Sequence, residues 1–106
     1  MTKRASTHID QHAATELDLY AETTRELYGQ FQSIITNLKR KIKSGKYSAA
    51  MAPKLWGYWY EAAAKRYVKE FGGDVRTMFP KALRDKLSAE RAADEYKKIK
   101  SGEYGA

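Results

Sequence analysis

The sequence predicts an all-α domain, a small bundle of three or four helices. Three observations predict it. Aromatic bulk is concentrated in KLWGYWYEAAAKRYVKEF, Lys54 to Phe71, which holds both tryptophans. Apolar positions from Leu17 to Leu38 recur at steps of three and four, the spacing of one helical face. No segment of four or more residues alternates in a β-branched pattern, so strands are not expected. A chain of 106 residues makes one domain with a modest core.

The first helix is expected over about 8–44. Thr7-His8-Ile9-Asp10 has the spacing of a capping box. Leu17, Tyr20, Thr24, Leu27, Phe31, Ile34 and Leu38 form a heptad-like stripe, and Ile42 extends it one step late. Unbroken, this helix would run some 50–55 Å at about 1.5 Å per residue. That is long for a domain this small. Gly29 sits near its middle and costs about 1 kcal/mol against Ala there. The stripe keeps phase across Gly29, which favours one helix or two nearly collinear ones over a break that folds back. Excess length on such a helix would pack on a partner, so self-assembly through the 17–42 stripe is one expectation.

Ser44-Gly45 ends the first helix. The central helix is expected over 53–71, with Pro53 as its first residue. At about 100° per residue, Leu55, Trp56, Trp59, Tyr60, Ala63, Tyr67 and Phe71 share one broad face. Lys54, Glu61, Lys65 and Lys69 share the other, and Gly57 could admit a neighbouring backbone. Gly72-Gly73 stops this helix. Asp74 could cap a short turn, VRTM. Phe79-Pro80 opens a last helix over 80–101. Its expected packing stripe is Ala82, Ala89, Ala93 and Tyr96, flanked by Leu83, Leu87 and Ile99. Lys41 to Ala49 repeats Lys98 to Ala106 at seven of nine positions. The simple reading is one helix stop used twice: a basic last turn, Gly at C′ and a tyrosine beyond it. The sharper reading brings both ends into one surface.

The formal charge of +7 favours acidic partners. It is uneven. Residues 1–28 carry net −2, and residues 29–50 carry five basic side chains and no acidic one. Lys39, Arg40, Lys41, Lys43 and Lys46 would attract phosphates, and Tyr47 could stack on an exposed base. Lys97, Lys98 and Lys100 form a second basic turn. Tyr58 falls on the charged face of the central helix and is a candidate interface anchor, or else packs beneath a terminal segment. The leading reading is a non-enzymatic binding module for nucleic acid or a nucleoprotein. The rivals are an inhibitor or adaptor that binds an acidic or nucleic-acid-binding protein, and a structural subunit. The compact, cysteine-free, basic plan would suit a phage or plasmid accessory protein.

Other chemistry finds little support. The absence of Cys excludes disulfides and thiolate metal sites, and a cytoplasmic setting is expected. There is no run of about 18 apolar residues to span a membrane. MTKRASTHIDQHAATE lacks the apolar core of a secretory signal. His8, His12 and Glu16 have metal-ligand spacing but no supporting shell, so no metal is expected. No nucleotide fingerprint is present, and no cofactor is expected. Asp18, Glu22 and Glu26 fall on the outward side of the first helix, where solvation is expected. Glu70 is the one acid expected near the tryptophans. No enzyme is expected.

Overall fold

The first apolar run breaks at Thr24 and not near Gly29. In the computed structural model, which describes residues 10–105, helix α1 spans Gln11–Thr23 and helix α2 spans Arg25–Lys43. Thr24 between them is extended, with φ −85° and ψ 125°. Thr23 and Thr24 are adjacent β-branched residues, which favour extended backbone. The Thr23 hydroxyl also donates to the Leu19 carbonyl at 2.8 Å. The break is confined to one residue. The Thr24 N–H still donates to the Tyr20 carbonyl, and its carbonyl still accepts from Tyr28 N–H. Gly29 lies inside α2, where flanking helix formers outweigh its cost.

Helix α3 spans Ala52–Phe71, α4 is the single turn Val75–Met78, and α5 spans Lys81–Lys100. The domain is all-α, but its described residues form five helices rather than three or four. The count differs because the first run is two helices and VRTM closes a full helical turn. Asp74 caps that turn, its carboxylate accepting from the Thr77 N–H and hydroxyl, both at 3.0 Å. The start expected at Thr7 lies outside the described residues. Asp10 is the N-cap of α1 and accepts from the His12 and Ala13 N–H groups. Pro80 is the N-cap of α5 rather than its first residue.

Helix α3 is the central element and packs most extensively on α5, then on α1 and α2. Trp56, Trp59, Tyr60, Ala63 and Ala64 are buried on it. Leu17 from α1, Leu27, Ile35 and Leu38 from α2, Phe79, and Leu83 and Leu87 from α5 complete the core. The leucines of the first apolar stripe are therefore covered within the chain. Trp59 Nε1 donates to the Leu27 carbonyl at 2.7 Å, which pins α3 to α2. Trp56 Nε1 is buried and has no partner among the described residues. Phe71 departs from expectation. It lies on the last turn of α3, where its ring meets Tyr20 and Tyr67 on one side, and it is 62% exposed.

The face of α5 also departs from expectation. Ala82, Ala89 and Ala93 point to solvent. The inward row is Leu83, Leu87, Ser88, Arg91, Ala92 and Glu95. A cation and a carboxylate thus occupy core positions. Gly57 faces Ser88 across the α3–α5 contact, and a Cβ there would meet Ser88 Oγ at 3.6 Å, an ordinary contact. No helix among the described residues is long and apolar enough to cross a membrane.

Candidate functional site

The guanidinium of Arg91 joins four helices. Its Nη2 pairs with Asp18 at 2.6 Å and with Glu22, both on α1. Its Nη1 pairs with Glu95 on α5 at 2.8 Å. Its Nε donates to the Tyr60 hydroxyl on α3 at 3.0 Å, and that hydroxyl donates to Asp18. The group lies over the rings of Trp59 at 5.3 Å and Phe31 of α2 at 5.7 Å. Asp18 and Glu22 are part-exposed, as outward acids would be, but both are ion-paired to Arg91. The third acid expected outward, Glu26, pairs with Arg66 at 3.1 Å near the surface. Glu70 accepts from Tyr20 at an exposed position, and the buried acid beside the tryptophan cluster is Glu95.

Burial alone would disfavour the Arg91 charge. Its hydrogen bonds to Tyr60, Glu22 and Asp18 outweigh that, and the group is held as a cation more firmly than a free arginine. Burial pushes the Tyr60 hydroxyl well above the ordinary tyrosine value, with Asp18 adding to the shift and Arg91 opposing it. Tyr104 is raised by burial and by its bond to Glu95. A folded pKa above the unfolded one means that stability is fully present below about pH 10. It is lost as pH rises from there through the folded values. Tyrosinate absorbance in the native protein is expected to rise at distinctly higher pH than in urea. Coincident curves would contradict the buried hydroxyls.

From this network a chain of contacts runs to the basic end of the bundle. The Tyr104 hydroxyl donates to Glu95, and the Tyr104 carbonyl accepts from Lys39 Nζ of α2 at 3.0 Å. The Tyr104 ring also meets Phe31 of α2, edge to face. Reciprocally, Tyr47 beyond α2 stacks on Tyr96 of α5 at 4.7 Å between centroids. The two repeated stops are thus side by side, and the tyrosine after each reaches the other's helix. Both are the same Schellman turn. Gly45 N–H donates to Ile42 and Lys46 N–H to Lys41; Gly102 N–H donates to Ile99 and Glu103 N–H to Lys98. Gly45 and Gly102 take φ of 78° and 82°, the left-handed region this cap requires.

The expected site residues divide accordingly. Arg40, Lys41, Lys43, Lys46, Lys97 and Lys100 are exposed at this end. Lys39 is half-buried and holds the C-terminal segment. Lys98 is half-buried and lines a small cavity with Asp18, Glu22, Asp94 and Glu95. Tyr47 is engaged by Tyr96 and offers no free face on that side. Lys100 Nζ lies 6.0 Å from the Tyr96 centroid. Tyr58 stands apart. It is 71% exposed and borders an open groove of about 570 Å³ between α2 and α3. No terminal segment packs over it among the described residues.

Sequence reasoning missed Arg91, Glu95 and Tyr104 as a connected group. A signal was present. Arg91 and Glu95 continue the Leu83–Leu87 row at steps of four, and an Arg–Glu pair in an apolar row is a candidate buried ion pair. His12 and Glu16 lie 3.6 Å apart and exposed, and His8 lies outside the described residues. Among the described residues no group of three or more His, Cys, Asp or Glu side chains is arranged to hold a metal.

Comparison with protein-family models, with curated proteins and with solved structures finds no match to this chain. A functional reading therefore rests on the site alone.

Proposed function

We propose that this protein is a non-enzymatic module that binds nucleic acid through the basic end of the bundle. One observation carries the reading. Residues 27–60, which run through α2 into α3, include six lysine or arginine side chains and no carboxylate. The fold adds Lys97 and Lys100 beside them through the Tyr47–Tyr96 and Lys39–Tyr104 contacts. Glu103 is the one acid in the adjoining C-terminal turn. Charge of mainly one sign on a surface attracts a polyanion and raises its encounter rate. Four carboxylates are engaged in ion pairs of their own. Asp18, Glu22 and Glu95 surround Arg91, and Glu26 pairs with Arg66.

The test is recovery from the native host, with and without nuclease, of the wild type and of a triple variant, Arg40→Glu, Lys41→Glu and Lys43→Glu. Lys39 is left intact because it holds Tyr104. Co-purifying nucleic acid is expected with the wild type and is expected to fall at least tenfold in the variant, since charge reversal replaces attraction by repulsion. A single stoichiometric protein that survives nuclease would overturn the reading in favour of a protein-binding inhibitor or adaptor.

A further inference from the structure

We infer that the groove between α2 and α3 receives an unpaired base, so that the preferred ligand of the basic end is single-stranded nucleic acid. The inference rests on the nucleic-acid reading above and specifies its ligand class. The groove is built where the two ends of the carboxylate-free 27–60 stretch meet, with Glu26 just outside that stretch on its rim. Ile34, Leu55 and Trp59 supply its apolar floor, and the Tyr58 ring stands at its edge. Gln30 and Ser33 add neutral donors and acceptors. Space above α2 is open here, since a Cβ at Gly29 would meet nothing within 4 Å.

A second groove of about 420 Å³ shares Gly29 and Ser33 with the first and leads past Thr36 and Asn37 to Arg40. From Gly29 to Arg40 the track along α2 measures about 16 Å at about 1.5 Å per residue. It is lined by uncharged polar side chains until it meets the exposed cations. Lys54, exposed and next to Leu55, flanks the other side. At the far end Glu26 lines the groove, but Arg66 neutralises it.

Charge complementarity selects the occupant. A second copy that presented its own Arg40–Lys46 surface here would be repelled. A polyanion would be attracted. Between polyanions, a duplex keeps its base faces stacked and has nothing to place on Tyr58. A single strand has free base faces, and an aromatic ring beside a polar track that ends at exposed cations suits them whatever their sequence. Gln30 and Ser33 can each donate or accept, which tolerates any base edge.

The test is fluorescence anisotropy with labelled oligothymidylate, oligouridylate and a mixed-sequence duplex of equal length. It compares the wild type, Tyr58→Ala, Tyr58→Phe and the Arg40/Lys41/Lys43→Glu variant. Tyr58 is exposed, so Tyr58→Ala is expected to melt as the wild type does. The wild type is expected to bind either single strand more tightly than the duplex. Tyr58→Ala is expected to weaken single-strand binding about tenfold while leaving duplex binding unchanged. Tyr58→Phe, which keeps the ring, is expected to retain affinity. Equal binding of single strand and duplex, with Tyr58→Ala unchanged on both, would overturn the base pocket and leave the polyanion reading standing. Absence of binding to any of the three, or binding unaffected by charge reversal, would overturn the polyanion reading itself.

Discussion

Arg91→Met is expected to destabilise the domain by about 3–5 kcal/mol, measured by urea unfolding. The cost does not come from losing an attraction alone. Asp18 and Glu22 are part-exposed and can return to water once the cation is gone, but the Glu95 side chain is 1% exposed and cannot. Its carboxylate would be left buried, retaining only the Tyr104 hydroxyl. The Tyr60 hydroxyl would lose the guanidinium, and α1 would lose its ionic tie to α5. Adding Glu95→Gln to Arg91→Met removes the stranded charge and is expected to recover part of the loss. The double variant then separates the penalty of a buried unpaired anion from the loss of packing. An Arg91→Met protein with an unchanged urea midpoint would contradict the network.

Trp59→Ala is expected to cost about 3–5 kcal/mol, a large share of the stability of a domain this size. The ring is 2% exposed and touches Phe31, Trp56 and Tyr60, with centroids 5.1–5.6 Å away. Its removal would also leave Arg91 without one of its aromatic neighbours and α2 without the Nε1–Leu27 hydrogen bond. The two tryptophans are expected to part company on replacement by Phe. Trp59→Phe forfeits that 2.7 Å bond. Trp56→Phe removes an N–H that is buried with no partner among the described residues, which offsets some of its lost bulk. Thermal melts of both variants check the order. A Trp56→Phe protein less stable than Trp59→Phe would contradict the assigned bonding.

The sequence made some of this legible for physical reasons that can be named. An aromatic-rich helical face between Pro53 and Gly72 has no stable place except the centre, and α3 lies there. Gly45 and Gly102 follow basic turns and take the left-handed cap such spacing predicts. Asp74 caps the turn it precedes. The break at Thr24 was hidden because the apolar stripe keeps its phase through it. Periodicity records which face is apolar and is insensitive to one extended residue. The face of α5 was hidden for the opposite reason. Its inward row contains Arg91 and Glu95, and three alanines with no charge lie outside it, so hydropathy points the wrong way round the helix. Asp18 and Glu22 read as solvated acids because their partner lies more than sixty residues away in sequence. The basic cluster was legible as charge. That Lys39 is a structural tether and Tyr47 is stacked on Tyr96 depends on the tertiary meeting of α2 and α5.

The basic end links these parts into one account. Arg91 and its carboxylates fix α1, α3 and α5 together, Glu95 holds Tyr104, and Tyr104 takes Lys39. The exposed cations of both helix stops are thereby left on a single surface. The most direct test is the salt dependence of binding to a labelled single strand. The log of the association constant is expected to fall linearly with the log of salt concentration, with about 0.7 in slope for each phosphate neutralised. A wild-type slope of about 2 or more, collapsing in the Arg40/Lys41/Lys43→Glu variant, is the result this account predicts. Tight binding that is indifferent to salt, or a slope that survives the triple reversal, would contradict it.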